Sequence, residues 1–441
     1  MKYTPGIGLE VHVELKTKSK MFCGCSADYF GQKPNTHTCP VCLGLPGALP
    51  VPNKKAIEWC IMIGQALNCD IATFSKFDRK NYFYPDLAKG YQISQYDQPF
   101  CMKGFIELSN GKKIGVTRIH MEEDTAKLTH QGEISLIDFN RSGVPLVEIV
   151  TDPDFENAKE VVEYLKKLQQ IVRYLGVSDA DMEKGEMRLE PNVSLQKRNT
   201  TNTTNKQILP NYKVEVKNIN SFRFVEKSIK FEIKRQQEIL EEDKTPVQET
   251  RGWDEDKQKT VSQRVKEEAS DYRYFPEPDI PPLRWTQAQI HELGAKMPEL
   301  PNAKEKRFKT SYSLSDYDVE ILSRDIEMAN YFEESVKLGQ TKKITPKQIA
   351  NTIINKKIDI KTTKPDQLIQ QILKTTQVVA TDDKQLNKLI EKVLSANEQA
   401  TADYKKGKTQ VIGFLIGQVR KELGPQSDTT QIKTALEESL K

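Results

Sequence analysis

The 441-residue sequence predicts an α+β fold, in which a domain of mixed strands and helices precedes a region that is mostly helical. Apolar and polar residues alternate over Ile7–Leu15, which is the two-residue period of a half-buried strand. From residue 286 onward the pattern is mostly that of helices, and strand signals are few. The Pro-rich segment 276–282 separates these regions, because proline interrupts helices and central strands.

Further strands and two long helices are predicted in the mixed region. The strand patterns occupy residues 113–122, 144–150, 187–195 and 213–217. One helix is predicted over 156–175, ended by Gly176, and a second over 225–242. The polar stretch 196–211 is expected to form an exposed loop, and Lys356–Lys364 a loop between helices.

The composition is that of a globular protein. Hydrophobic residues make up 37% and charged residues 29%, and no apolar run approaches the roughly 18 residues of a membrane span. The first residues lack the features of a secretory signal, so we expect a cytoplasmic protein that does not bind membranes. The net charge of +4 gives no overall attraction to nucleic acid, so any RNA contact must use local patches or shape.

Four of the seven cysteines form two close pairs. Cys23 and Cys25 are followed after thirteen residues by Cys39 and Cys42. In a reducing compartment this spacing indicates a metal site, and four thiolates favour a structural zinc ion with no open coordination position. The alternative is four unrelated free cysteines.

Polar residues share faces of several predicted strands. These sets are Glu10, His12 and Glu14; Arg118, His120 and Glu122; and Arg188, Glu190, Asn192 and Ser194. Glu148 interrupts the apolar run Val144–Val150. Such faces often point to water. Together they predict instead a sheet-lined polar site, whose carboxylates and histidine suit Mg²⁺ or Mn²⁺ holding ATP phosphates.

Several nucleotide and hydrolase motifs are absent from the sequence. There is no Walker loop, no dinucleotide-binding glycine motif, no protein-kinase motif set and no G-x-S-x-G. If the protein uses ATP, metal ions and carboxylates must hold it.

Long motifs carry a resemblance to a known family. They are Ile7–Leu15, Lys76–Asp86, Gln92–Gln95, His120–Asp124, Asp138–Arg141, Val147–Val150, Val216–Phe222, Asp271–Asp279, Asp403–Lys408 and Gly413–Gln418. These segments, spread almost from end to end, resemble the B subunits of aspartyl/glutamyl-tRNA(Asn/Gln) amidotransferases, the GatB/GatE family.

The resemblance implies a glutamine-synthetase-like cradle over residues 1–285 with a zinc-binding loop at 23–42. It also implies a helical domain over 286–376 and a YqeY-like, tRNA-binding tail over 377–441. The implied enzyme is a heterotrimeric ligase with an amidase A subunit and a small C subunit, and its substrate is misacylated tRNA(Gln) or tRNA(Asn). The implied reaction phosphorylates the Glu or Asp side chain with ATP and then amidates it with ammonia channelled from the amidase.

The family motifs also imply roles for individual residues. Glu10, His12, Glu123 and Glu148 are the implied catalytic metal ligands, although strand alternation from His120 favours Glu122 over Glu123. Lys80, opposite Glu123, resembles the charged gate where ammonia enters, and could deprotonate ammonium. Weaker candidates for contact with the nucleotide or acceptor end are Arg188, Glu190, Asn192, Lys217 and Ser221.

Two other functions remain open on the sequence. One is a free-standing glutamine-synthetase-like ligase for a small acid, and the other is a non-catalytic RNA-binding module containing zinc. Neither the choice between Glu-tRNA(Gln) and Asp-tRNA(Asn) nor the choice between Mg²⁺ and Mn²⁺ follows from the residues.

Overall fold

The computed structural model describes residues 3–197, 209–265, 272–376, 382–424 and 427–440. The chain divides into two compact units, Met1–Lys304 and Glu305–Lys441. The first unit contains the strands, and the second contains helices. This agrees with the predicted α+β region followed by helices. None of the described helices is both long and apolar enough to cross a lipid bilayer.

The first unit is built from short and long strands and four helices. The described strands are β1 Tyr3–Glu14, β2 Asp70–Ile71, β3 Phe74–Ser75, β4 Asp78–Asn81, β5 Tyr91–Ser94, β6 Cys101–Glu107, β7 Lys113–Glu123, β8 Lys127–Gln131, β9 Ile134–Asp138, β10 Pro145–Thr151, β11 Met187–Lys197, β12 Val214–Lys217, β13 Glu249–Asp254, β14 Lys259–Val265, β15 Phe275–Pro276 and β16 Leu283–Arg284. The described helices are α1 Lys54–Ala66, α2 Ala158–Tyr174, α3 Phe222–Glu241 and α4 Gln287–Ala295.

These elements confirm the strands and the two helices predicted from periodicity. The predicted loop over 196–211 is described only in part, since residues 198–208 lie outside the described residues. Helix α2 begins where the Asn157 side chain accepts hydrogen bonds from the next turn, and α3 begins in the same way at Ser221. The first unit also includes α4, beyond the residue 285 expected as the end of the cradle.

A large sheet forms the centre of the first unit. Within the described residues its nine strands follow the order β14-β13-β12-β11-β1-β10-β7-β6-β2. Strand β1 is antiparallel to both neighbours, β10 and β11. Its alternate residues Leu9, Val11 and Val13 are at most 1% exposed and belong to the cluster that includes residues of α1, α2 and α3. Burial of each such side chain contributes about 1.5–3 kcal/mol, so the opposite face of β1 is the one left for polar groups.

The second unit consists of helices around two separate apolar clusters. Its described helices are α5 Pro301–Tyr312, which begins in the first unit, α6 Asp316–Leu322, α7 Ile326–Gln340, α8 Pro346–Asn355, α9 Pro365–Thr376, α10 Asp383–Ala396, α11 Glu398–Lys405, α12 Ile412–Leu423 and α13 Thr429–Leu440. One cluster lies within 308–372 and the other within 386–440. The predicted division after residue 376 falls between them, but residues 377–381 are not described and it stays a prediction.

Candidate functional site

Strand register brings the polar side chains of distant segments onto one face of the large sheet. His12 of β1 is opposite Glu148 of β10 and Arg188 of β11. Glu148 is in turn opposite His120 of β7, so four strands contribute to one row across the sheet. Alternate residues of a strand share a face. Residues two positions before or after these four therefore form neighbouring rows on the same face of the sheet.

The first group of potential ligands, the imidazole cluster, consists of His12, Glu122 and Glu148. The Nε2 atom of His12 lies 3.3 Å from Oε1 of Glu122 and 3.7 Å from Oε2 of Glu148. His120 supports the cluster from the side, with its Nε2 3.0 Å from the same oxygen of Glu148. One donor atom from each member lies within 4.8 Å of the others, which is close enough to share one cation.

The electrostatics of the imidazole cluster also favour a cation. Burial alone would lower the pKa of His12, but hydrogen bonds with Glu122 and Glu148 raise it to about 10. The pKa of Glu148 is lowered despite burial, because His120 and His12 are close. The second oxygen of Glu122 is buried without a hydrogen-bond partner among the described residues. A divalent ion could replace the His12 proton and satisfy that oxygen.

The second group, the carboxylate cluster, consists of Glu10, Glu190 and Glu215. Their ligand atoms also lie within 4.8 Å of one another. Burial and the nearby Glu148 raise the pKa of Glu10. The Nζ atom of Lys217 lies 3.1 Å from Glu190 and 3.3 Å from Glu215, and so offsets part of the negative charge.

A cleft of about 460 Å³ lies over both clusters. Among its lining residues, besides members of the two clusters, are Lys80, Arg118, Arg188, Lys217, Tyr82, Tyr96, Tyr272 and Tyr274. This volume accommodates part of a nucleotide or a small substrate, and its walls combine acidic, basic and aromatic groups. The cleft is the candidate active site.

Comparison with known proteins was made for the whole chain. Residues 5–291 match the sequence model of the GatB/GatE catalytic domain, and residues 314–440 match that of the GatB domain. The chain belongs to the GatB/GatE family. The B subunit of the aspartyl/glutamyl-tRNA(Asn/Gln) amidotransferase of Carboxydothermus hydrogenoformans is 44% identical over 100% of this chain and 99% of the relative.

Two further relatives of the same name cover the chain equally well. The protein of Dehalococcoides mccartyi strain 195 is 45% identical over 99% of both chains. That of Caldanaerobacter subterraneus is 44% identical over 100% of both chains. The family membership therefore extends over the catalytic region and the helical region alike.

Glu123, expected from the family motif to be a ligand, lies apart from both clusters. Strand β7 stays regular through this residue, with Glu122 opposite Leu146 and Glu123 opposite Pro145, so the two side chains point to opposite faces. Glu123 pairs with Lys89 and accepts a hydrogen bond from the Ile93 backbone N–H at 2.9 Å. The bend that a Glu123 ligand required is absent, and strand alternation identified the residue beside His12 correctly.

Lys80 lines the cleft, but the expected pairing with Glu123 is not found, since Lys89 takes that place. Burial would lower the pKa of Lys80, but Glu122, Tyr274 and Glu148 raise it above its usual value. Lys80 is therefore a fixed ammonium at neutral pH. The role of Lys80 in deprotonating ammonium stays a prediction.

The weaker candidates divide into two groups. Arg188 lines the cleft and donates to Asp124 at 2.6 Å, while Asn192 donates to Glu10 at 3.0 Å. Ser221 instead caps α3, where its hydroxyl accepts from the Phe224 N–H at 3.2 Å, and it is not among the residues that line the cleft. Its predicted contact with the nucleotide or acceptor end stays a prediction.

Several cleft residues were not among the predicted ligands or contacts. Arg118 shares the face of His120, and Glu215 shares that of Lys217, so alternation carried a signal for them. The four tyrosines had no such signal, because Tyr82, Tyr96 and the segment of Tyr272 and Tyr274 meet only through tertiary structure.

The four cysteines of the 23–42 loop form a separate cluster in this family member. Their sulfur atoms lie within 4.8 Å of one another. A hydrogen bond from Cys23 lowers the pKa of Cys42 to about 4, against the effect of burial, and the same bond raises that of Cys23. The fully buried Lys20 places its Nζ 3.7 Å from Cys42 and donates to the His37 carbonyl at 2.7 Å. Four sulfur donors beside an ammonium fit a zinc ion.

Proposed function

We propose that this chain is the B subunit of a cytoplasmic, tRNA-dependent amidotransferase. It uses ATP to phosphorylate the side-chain carboxylate of Glu on tRNA(Gln) or Asp on tRNA(Asn), and ammonia then converts this group to the amide. The names of the relatives support the reaction class and an enzyme of several subunits. The first unit would be the glutamine-synthetase-like cradle.

The observation that carries the proposal is the pair of ligand clusters on one sheet face. The imidazole cluster would hold one Mg²⁺ or Mn²⁺, and the carboxylate cluster would hold a second. When bound, such cations neutralise phosphate charge and align the reacting oxygens. Two cations also fit the reaction, because transfer of the γ-phosphoryl group brings two anionic substrates together.

The chemistry proceeds in two balanced steps. An oxygen of the substrate carboxylate bonds to the γ-phosphorus of ATP while the bond to the bridging oxygen breaks, and ADP leaves. Ammonia then attacks the carbonyl carbon of the acyl phosphate, inorganic phosphate leaves, and a proton is lost to give the amide. Phosphorylation is needed because oxide is too poor a leaving group for direct amidation.

Residues of this chain would prepare the site for these steps. Lys80 places its ammonium over the Tyr272 ring in the cleft, where a positive charge can balance charge on the acyl phosphate. Arg188 is held by Asp124, so its guanidinium keeps one orientation in the cleft.

The roles of the other subunits, of the helical tail and of the zinc ion are also proposed. The amidase A subunit would release the ammonia and channel it to this site, and the small C subunit would join the two larger chains. The helical tail over 377–441 would bind tRNA. A zinc ion on the four cysteines would stabilise the 23–42 loop, whose Phe30 is exposed and adds nothing to the core.

The test is amidation by the heterotrimer reconstituted with ATP, glutamine and each misacylated tRNA. Glu148→Gln keeps the shape of the side chain but removes the charge that both histidines contact, and we expect amidation to fall by about three powers of ten. Glu107→Gln on β6, which is exposed and lies outside the cleft, is the matched control.

Two results would redirect the proposal. Full activity of correctly folded Glu148→Gln protein would favour the non-catalytic zinc and RNA-binding alternative. Equally fast amidation of free glutamate would favour the small-molecule ligase.

A further inference from the structure

Arg118 is an arginine of the cleft whose guanidinium has no carboxylate partner among the described residues. Its side chain is half-buried, its Nε is buried without an acceptor, and it forms no ion pair with a carboxylate of the described residues. By contrast, Arg188 is bound to Asp124 and Lys217 to two glutamates. Because an unpaired guanidinium loses hydration on burial, its place in a cleft indicates an anionic ligand.

Aromatic rings line the same cleft. The rings of Tyr96 and Tyr274 are stacked, with centroids 4.3 Å apart and planes 10° from parallel. Tyr272 meets the edge of Tyr274 at 6.1 Å, which fixes the second ring. Tyr96 is nevertheless 59% exposed, although Tyr274 covers one of its faces. A stack with an open outer face can be extended by a planar base.

Hydrogen bonds between backbone and side chains fix the chain beside Tyr96, and one of them reaches the strand that carries Arg118. The Gln95 side chain accepts a hydrogen bond at 3.0 Å from the backbone N–H of Met121 on β7, the strand that carries Arg118. The N–H of Tyr96 donates to Asp78 at 3.0 Å. Arg118 and both rings line the same cleft, and these bonds tie the backbone beside Tyr96 to the strand of Arg118 before any ligand binds.

We infer that Arg118 and the Tyr96–Tyr274 stack form a subsite for an adenosine phosphate, whose base extends the stack and whose phosphate pairs with the guanidinium. This inference rests on the proposed function, which supplies two ligands of this chemistry: ATP and the terminal adenosine of the tRNA acceptor. Stacking is tolerant of base identity, whereas an arginine binds phosphate oxygens in two-point contacts. The subsite therefore explains how a cleft rich in carboxylates holds a nucleotide without a Walker loop.

The inference is tested by two binding measurements on the reconstituted heterotrimer. One is the Kd for a non-hydrolysable ATP analogue with Mn²⁺, and the other is the KM for misacylated tRNA. The variants are Arg118→Gln and Tyr274→Leu, with Tyr274→Phe to restore the ring. Arg223→Gln and Tyr84→Leu, both exposed and outside the cleft, are the matched controls.

We expect Arg118→Gln and Tyr274→Leu to weaken binding about 10- to 100-fold in one of the two measurements, and Tyr274→Phe to recover most of the loss. A loss in either measurement supports the subsite, and the measurement affected identifies the ligand. Unchanged values in both, with circular dichroism spectra like that of the wild type, would overturn the inference. If the wild-type heterotrimer neither binds the analogue nor amidates tRNA, the proposed function itself fails.

Discussion

At the scale of single residues, the choice between Glu122 and Glu123 depends on the geometry of a strand. Adjacent residues of β7 point to opposite faces, so Glu122 faces His12 while Glu123 faces Lys89 and β5. The two carboxylates have the same chemistry and differ only in direction. A ligand assignment for adjacent acidic residues therefore needs the register of the strand as well as the motif.

The pKa of His12 leads to a prediction on pH. Because this pKa is about 10 in the ion-free protein, His12 is protonated at neutral pH and a cation must displace its proton. Affinity for Mn²⁺ at the imidazole cluster should therefore rise about tenfold per pH unit between about pH 7 and 9, and fall as the pH is lowered. Titration of Mn²⁺ by electron paramagnetic resonance at several pH values measures this slope. His12→Asn removes the competing proton, so its slope should be much flatter; equal slopes for the two proteins would refute the competition.

At the scale of elements, the cysteine loop is predicted to depend on its ion. Removal of zinc with a chelator, or the substitution Cys42→Ser, should lower the Tm of the first unit and release about one zinc ion per chain. Cys69→Ser is the control, since Cys69 is outside the cluster. Atomic emission measures the zinc content, and thermal unfolding measures the Tm. A wild-type protein that contains no zinc and is indifferent to chelators would contradict the assignment.

Helix α3 is attached to the sheet by a buried ionic network. Glu232 is fully buried, lies 2.9 Å from Arg235 and 3.2 Å from Arg251, and contacts Thr260. Glu232→Ala leaves two guanidiniums short of a partner, so the free energy of unfolding should fall by about 3–5 kcal/mol.

The matched control for this network is Glu238→Ala, on the exposed side of the same helix, where a change within about 0.5 kcal/mol is expected. Trp59, Trp253 and Trp285 all belong to the first unit, so tryptophan fluorescence during urea unfolding reports on it alone. Similar losses for both substitutions would mean that the network adds no stability.

The strands and helices also show which features of the fold and the site could be predicted from the sequence alone. Period-two and helical patterns located β1, β7, β10, β11, α2 and α3, because each pattern depends only on neighbouring residues. The pairing of Glu10 with Glu190 and Glu215 joins residues about 200 positions apart in the chain, and no local pattern encodes that register. Ser221, predicted from the family motif as a weak contact residue, is a local helix cap in the structure, and its role in binding stays a prediction.

At the scale of the whole molecule, the catalytic and tRNA-binding tasks are predicted to be separable. The second unit has its own apolar clusters, so removal of residues 377–441 leaves the core of the first unit complete. The deletion should weaken binding of misacylated tRNA and leave ATP-analogue affinity unchanged. Filter binding measures the affinity for misacylated tRNA, and calorimetry measures the affinity for the ATP analogue. Undiminished tRNA affinity would show that the tail has another role.

The central claim is that one sheet face assembles two cation sites from residues scattered over more than 200 positions. Anomalous scattering from crystals of the heterotrimer with Mn²⁺ and an ATP analogue tests it most directly. We predict two peaks, one within ligand distance of His12, Glu122 and Glu148, and the other within ligand distance of Glu10, Glu190 and Glu215. A map with no peak on this face, or with manganese bound to Glu123, would contradict the account.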